Sequence, residues 1–106
     1  MAILTPEIQS KLMEQYPLGN NLESQVVVAK LFYGGWTWYL LNQDPEDTDY
    51  LWCITKGNAV ELGSVSLSEL ESFRSKPLAL PVERDIYFTP KLAKEVWDAL
   101  LRGEHI

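Results

Sequence analysis

The chain has 106 residues, with nine Lys and Arg against fifteen Asp and Glu and a formal net charge of -6. That length fits a single domain over 1–106, large enough to bury a core without disulfides or metals. The acidic balance argues against direct nucleic-acid binding, which needs clustered cations on phosphates, and suits solubility, a basic protein partner or a bound cation.

Thr5, Pro6 and Glu7 mark the first helix: an N-cap, a proline at the first helical position and an acid in the first turn. Ile8, Leu12 and Tyr16 form its apolar stripe, and Pro17 ends it. Residues 26–33 read as one strand. Gly34-Gly35 then turns the chain into a second strand, Trp36 to Leu41, because glycine supplies the positive φ of a tight hairpin. An acidic turn leads to a third strand, about Asp49 to Thr55, and a short fourth one covers about Val60 to Val65. Ser66-Leu67-Ser68-Glu69 is a capping box, with a helix expected to about Arg74. A fifth strand is expected over Val82 to Phe88. Thr89-Pro90 repeats the helix start of residues 5 and 6, with Leu92, Val96, Ala99 and Leu100 inward and Gly103 as the C-terminal cap. The order predicts an α+β domain: an antiparallel four- to five-stranded sheet, helices at both termini, one short helix before the last strand, and all helices packed on one face.

Period-two alternation leaves neither face of the meander polar. Trp36, Trp38 and Leu40 share one side and Thr37, Tyr39 and Leu41 the other, while Tyr50, Trp52 and Ile54 oppose Leu51 and Cys53. Two destinations for this aromatic surplus stay open: a sheet buried on both faces, or an exposed patch for a dimer or a partner. On the fifth strand Arg84 lies between apolar Val82 and Ile86. Either it pairs internally, with Glu61 or Glu69 as candidates, or it opens onto a pocket and grips an anion. Lys30, on an apolar strand face, is expected to snorkel.

Asp44, Glu46, Asp47 and Asp49 put four carboxylates within six residues. Such a cluster suits a divalent cation, an acidic docking loop or a solvated turn. The EF-hand pattern fails: counting from Asp44, the sixth position is Asp49 where glycine belongs, and the twelfth is Thr55 where glutamate belongs. The single cysteine, Cys53, sits in an apolar run and reads as a small buried hydrophobe. The single histidine, His105, is a poor base for a Ser-His or Cys-His pair on a fraying tail. No catalytic residue, cofactor or resident metal is expected. The apolar runs are too short for a membrane span and the start lacks signal-peptide character, so a cytoplasmic protein without membrane contact is expected.

Several segments in the same order along most of the chain resemble a small bacterial family, domain of unknown function 2958. They are Lys30-Leu31-Phe32, Thr37-Trp38-Tyr39-Leu40, the acidic run 44–49, the stretch 61–71 and Glu83-Arg84-Asp85-Ile86-Tyr87-Phe88. The family's glycine-rich stretch between the hairpin strands is here only Gly34-Gly35. The resemblance implies an accessory protein of plasmids, phages or integrative elements, often near antirestriction genes. Some members are labelled single-strand DNA endonucleases. It carries over no catalytic residue. Together these readings favour a non-enzymatic protein-binding factor, a counter-defence inhibitor of anti-CRISPR or antirestriction type. Its contact would be Asp44, Glu46, Asp47 and Asp49 with exposed members of Trp36, Trp38, Tyr39 and Trp52. The alternatives are a metal-dependent nuclease or phosphotransfer enzyme on the same carboxylates, and a self-associating domain forming a homodimer.

Overall fold

The computed structural model describes residues 3–106. Helix α1 (Pro6–Glu14) and a 3-10 turn (Tyr16–Leu18) precede strands β1 (Val26–Val27), β2 (Ala29–Tyr33), β3 (Trp36–Asp44), β4 (Asp47–Lys56) and β5 (Val60–Ser66). Helix α2 (Leu67–Ser72), β6 (Glu83–Arg84), β7 (Lys91–Leu92) and helix α3 (Ala93–Leu101) complete the chain. Five strands form an antiparallel sheet in the order β5-β4-β3-β2-β6, while β1 pairs with β7 in a separate ribbon. The fold is α+β. No helix among the described residues is long and apolar enough to cross a membrane.

Local chemistry explains most boundaries. The Thr5 hydroxyl accepts the Ile8 N–H at 3.2 Å, and the Ser66 hydroxyl accepts that of Glu69 at the same distance, so both N-caps form as read. At the end of α3, Gly103 adopts φ 81° while its N–H reaches Leu100 and that of Glu104 reaches Ala99, the two bonds of a Schellman cap. Gly34, at φ 58°, closes the two-residue hairpin that pairs Tyr33 with Trp36.

Helices cover both faces of the sheet, not one. Leu12 of α1 and Leu70 of α2 pack with Leu31, Trp38, Leu40, Leu51 and Cys53 on the first face. Ala93, Val96 and Leu100 of α3 pack with Tyr39, Leu41 and Ile54 on the second. This two-sided burial is why neither strand face is polar. A bulge between Leu40 and Asn42 shifts the β3–β4 register midway.

Other expectations give way. The strand over 26–33 is split at Val28, whose N–H bonds Leu40 while Val26 and Val27 turn aside to pair with β7. Helix α2 stops at Ser72. The fifth strand shrinks to Glu83–Arg84, because the Asp85 carboxylate accepts the Tyr87 N–H at 2.9 Å and folds the chain into a turn. The last helix begins at Ala93 rather than after Thr89. Its first N–H groups bond the Gln25 and Leu22 carbonyls, so chain from another element does the capping.

Three buried amides fasten the α1–β1 connection to the sheet. Gln15 donates to the Val26 and Leu41 carbonyls and accepts from the Val26 N–H. Asn42 donates to Gln25 Oε1 at 3.0 Å and to the Gly19 carbonyl at 2.8 Å. Satisfied in this way, buried polar groups fix one arrangement of the chain.

Candidate functional site

Helix α2 is only six residues long, so it covers the β5 side of the first face incompletely. The uncovered corner is a groove of about 1040 Å³ between β5, the tip of the β2–β3 hairpin and α2. Its aromatic walls are Tyr33, Trp36, Trp38 and Phe73. Phe73 sits between Tyr33 and Trp38, with ring centroids 5.4 and 6.5 Å away. Thr55 and Gly63 are small and sit among the lining residues, while the aromatic side chains rise beside them.

Trp36 is 44% exposed, yet its ring is held in place. The indole lies over Gly57, where an added Cβ would come within 2.1 Å of a ring carbon. Only glycine leaves room for the ring in this position. The groove's charged lining residues are Glu61 and Glu69; no lysine or arginine is among them.

The acidic turn lies at the opposite end of the β3–β4 hairpin. Asp44 and Asp47 pair as the last residues of their strands, so the turn itself is Pro45-Glu46. Eight residue steps separate Asp47 from Thr55, about 26 Å at a strand's rise. The four carboxylates have different tasks. Asp44 accepts the Glu46 N–H at 2.8 Å and the Tyr16 hydroxyl at 3.2 Å, and its negative charge raises the Tyr16 pKa. Asp47 accepts the Asp49 N–H. Asp49 takes the Ser66 hydroxyl at 2.6 Å and the Ser68 N–H at 2.7 Å, and these bonds lower its pKa. In this way Asp49 joins Ser66 in capping α2, the groove's far wall. Glu46 is left exposed at the tip. Among the described residues no group of three or more His, Cys, Asp or Glu is placed to hold a metal ion.

The aromatic candidates are dispersed. Trp36 and Trp38 line the groove, Trp38 largely buried; Tyr39 is buried on the second face, 2% exposed. Burial raises the Tyr39 pKa, and its hydroxyl donates to the Ile106 main-chain oxygen at 3.1 Å. Trp52 is half-buried and stacked on Tyr50 at 6.3 Å. Its buried ring N–H, like Gln43 Oε1, has no hydrogen-bond partner among the described residues.

Arg84 lies at the far edge of the sheet. It donates to the Ile3 carbonyl, and neither Glu61 nor Glu69 is its partner. One of its N–H groups thus has a main-chain partner in place of the carboxylate considered, and the side chain lines a shallow groove with Ile3, Pro81 and Val82. Lys30 does not simply snorkel: its ammonium donates to the Ile106 oxygen at 2.7 Å and lies 3.9 Å from Asp85.

In the sequence Glu69 reads as part of the α2 capping box and, with Glu61, as a partner for Arg84; nothing there brings these two together with Tyr33, Gly63 and Phe73 around a groove. One signal was present: in a sequential meander, the last strand ends on an edge. Searches of curated proteins and of solved structures found no significant match. The family model described as protein of unknown function (DUF2958) matches residues 3–104, almost the whole chain. The chain belongs to the DUF2958 family.

Proposed function

We propose that this protein is a non-enzymatic protein-binding accessory factor of a mobile element, a counter-defence inhibitor of the anti-CRISPR or antirestriction kind, that docks a basic surface of a host effector. One observation carries the reading: an open groove whose walls are aromatic and whose charged lining residues are all carboxylates. Aromatics anchor interfaces, and acidic groups steer and select a basic partner. A net charge of -6 adds long-range attraction of the same sign. The mobile-element setting rests on the family resemblance.

On this reading the contact divides between the Trp36 groove and the Glu46 tip, because the Trp36 side of the groove and the acidic turn lie at opposite ends of the β3–β4 hairpin. Trp38, Tyr39 and Trp52 support the fold more than they offer contact area, given their burial. The test compares wild type with a groove variant, Trp36→Ala with Glu61→Gln and Glu69→Gln, and a turn variant with Asp44, Glu46 and Asp47 neutralised. A host protein retained by wild type is identified, purified and titrated against all three. Loss of binding in the groove variant alone supports the groove. Equal binding by all three refutes the docking reading.

A further inference from the structure

The groove runs beside the open edge of the sheet. β5 pairs with β4 through seven consecutive residues without a bulge, and among the described residues no strand pairs with its outer side. We infer, resting on the protein-binding reading above, that β5 accepts an extended basic segment of a partner protein as a sixth antiparallel or parallel strand. Main-chain hydrogen bonds would supply the attachment and the alternate side chains the selectivity.

The two sides of β5 differ in chemistry. Ladder pairing puts Glu61 beside Thr55 and Gly63 beside Cys53, on the groove side with Trp36, Trp38 and Phe73. Leu62 and Ser64 pair with Ile54 and Trp52 on the other side, where Leu62, Val60 and Trp52 pack against the second core cluster. An added strand places its side chains alternately over these two surfaces. Over the groove it meets aromatic rings and two carboxylates, the combination that favours a guanidinium or ammonium. On the other side it meets apolar chain. The segment that fits therefore alternates basic and apolar residues. Charge complementarity selects this occupant over a second copy of the chain, which would bring Glu61 against an equally acidic edge.

The test uses the full chain and blocked Arg-Val-Arg-Val-Arg-Val, beside its Glu-Val counterpart and two N-methylated forms, one methylated at every Arg amide and one at every Val amide. Methylation on alternate residues removes the donors along one side of a strand only. Amide chemical shifts and Trp fluorescence are followed at moderate salt. The expected result is binding of the Arg-Val peptide with shifts centred on residues 60–66 and the Trp36 indole. One methylated form should lose at least about tenfold in affinity and the other little. Glu61→Lys, an exposed substitution, should also lower affinity about tenfold. Equal binding of both methylated forms overturns strand addition and leaves side-chain docking in the groove standing. No binding of Arg-Val overturns the inference, while the host-partner titration decides the broader reading separately. A dimer in sedimentation that protects the β5 amides also overturns it, assigning the edge to a second copy.

Discussion

The two edges of the five-stranded sheet are built in opposite ways. At the β6 edge only Glu83 and Arg84 pair with β2; the chain then turns at Asp85, and Lys30, Asp85 and Arg84 crowd the end with charge. Short length, charge and a turn are the usual means by which a sheet edge avoids pairing with strangers. At the β5 edge seven residues stand in unbroken register, with Glu61 their single charge and a groove alongside. Within one sheet, then, one edge is blunted and the other left long and regular, and the proposed strand addition rests on that contrast.

The largest expected effect tests the protected edge. Leu31 is fully buried on β2 and pairs with both Trp38 and Arg84. Leu31→Ala should cost about 2–5 kcal/mol in denaturant unfolding, through lost burial and the cavity left behind. Hydrogen exchange should rise more at β6 than at β5; the reverse order would break the comparison. Arg84→Ala removes the bond to the Ile3 carbonyl and should cost about 1 kcal/mol, again with faster exchange around residues 83–85. Gly57→Ala should also cost about 1 kcal/mol, since the displaced Trp36 ring can swing into solvent. Its larger consequence is a red-shifted Trp emission and weaker binding of the basic peptide, because the groove loses a wall.

Asp49 gives the pH-dependent member of the set. Its folded-state pKa is lowered by the Ser66 and Ser68 bonds, so its contribution is present above the ordinary aspartate value and is lost as pH falls below it. The stability advantage of wild type over Asp49→Asn should therefore shrink below about pH 4, as measured by thermal melts across pH. The smallest effect is expected on the open edge: Ser64→Ala, an exposed change, should stay within about 0.5 kcal/mol.

Local signals in the sequence led directly to several elements. The Thr5-Pro6 start, the Gly34-Gly35 hairpin, the Ser66 cap and the Gly103 stop each depend on residues within a few positions of one another. Thr89-Pro90 carries the same local signal and starts no helix, because the ribbon formed by β1 and β7 holds residues 91 and 92 extended. Periodicity gave Val82 to Phe88 the pattern of a strand, and the Asp85 side chain overrode it. No local signal marks Gln15 and Asn42 for burial, since the carbonyls they bind lie 11 to 26 residues away in the chain. The groove was least legible for the same reason: Trp36, Thr55, Gly63 and Phe73 come together only when β3, β4, β5 and the end of α2 assemble.

The ladder partner of Gly63 has a different use. Cys53 lies at the centre of β4, is fully buried, and has its thiol pKa pushed up to about 11 by desolvation. Such a thiol is inert toward alkylating reagents and mild oxidants until the strand opens. Its modification rate is thus a clock for local opening of the β4–β5 pair, readable by mass without any added label. A chain bound along β5 should slow that clock, while one bound at the acidic tip should leave it running at its free rate.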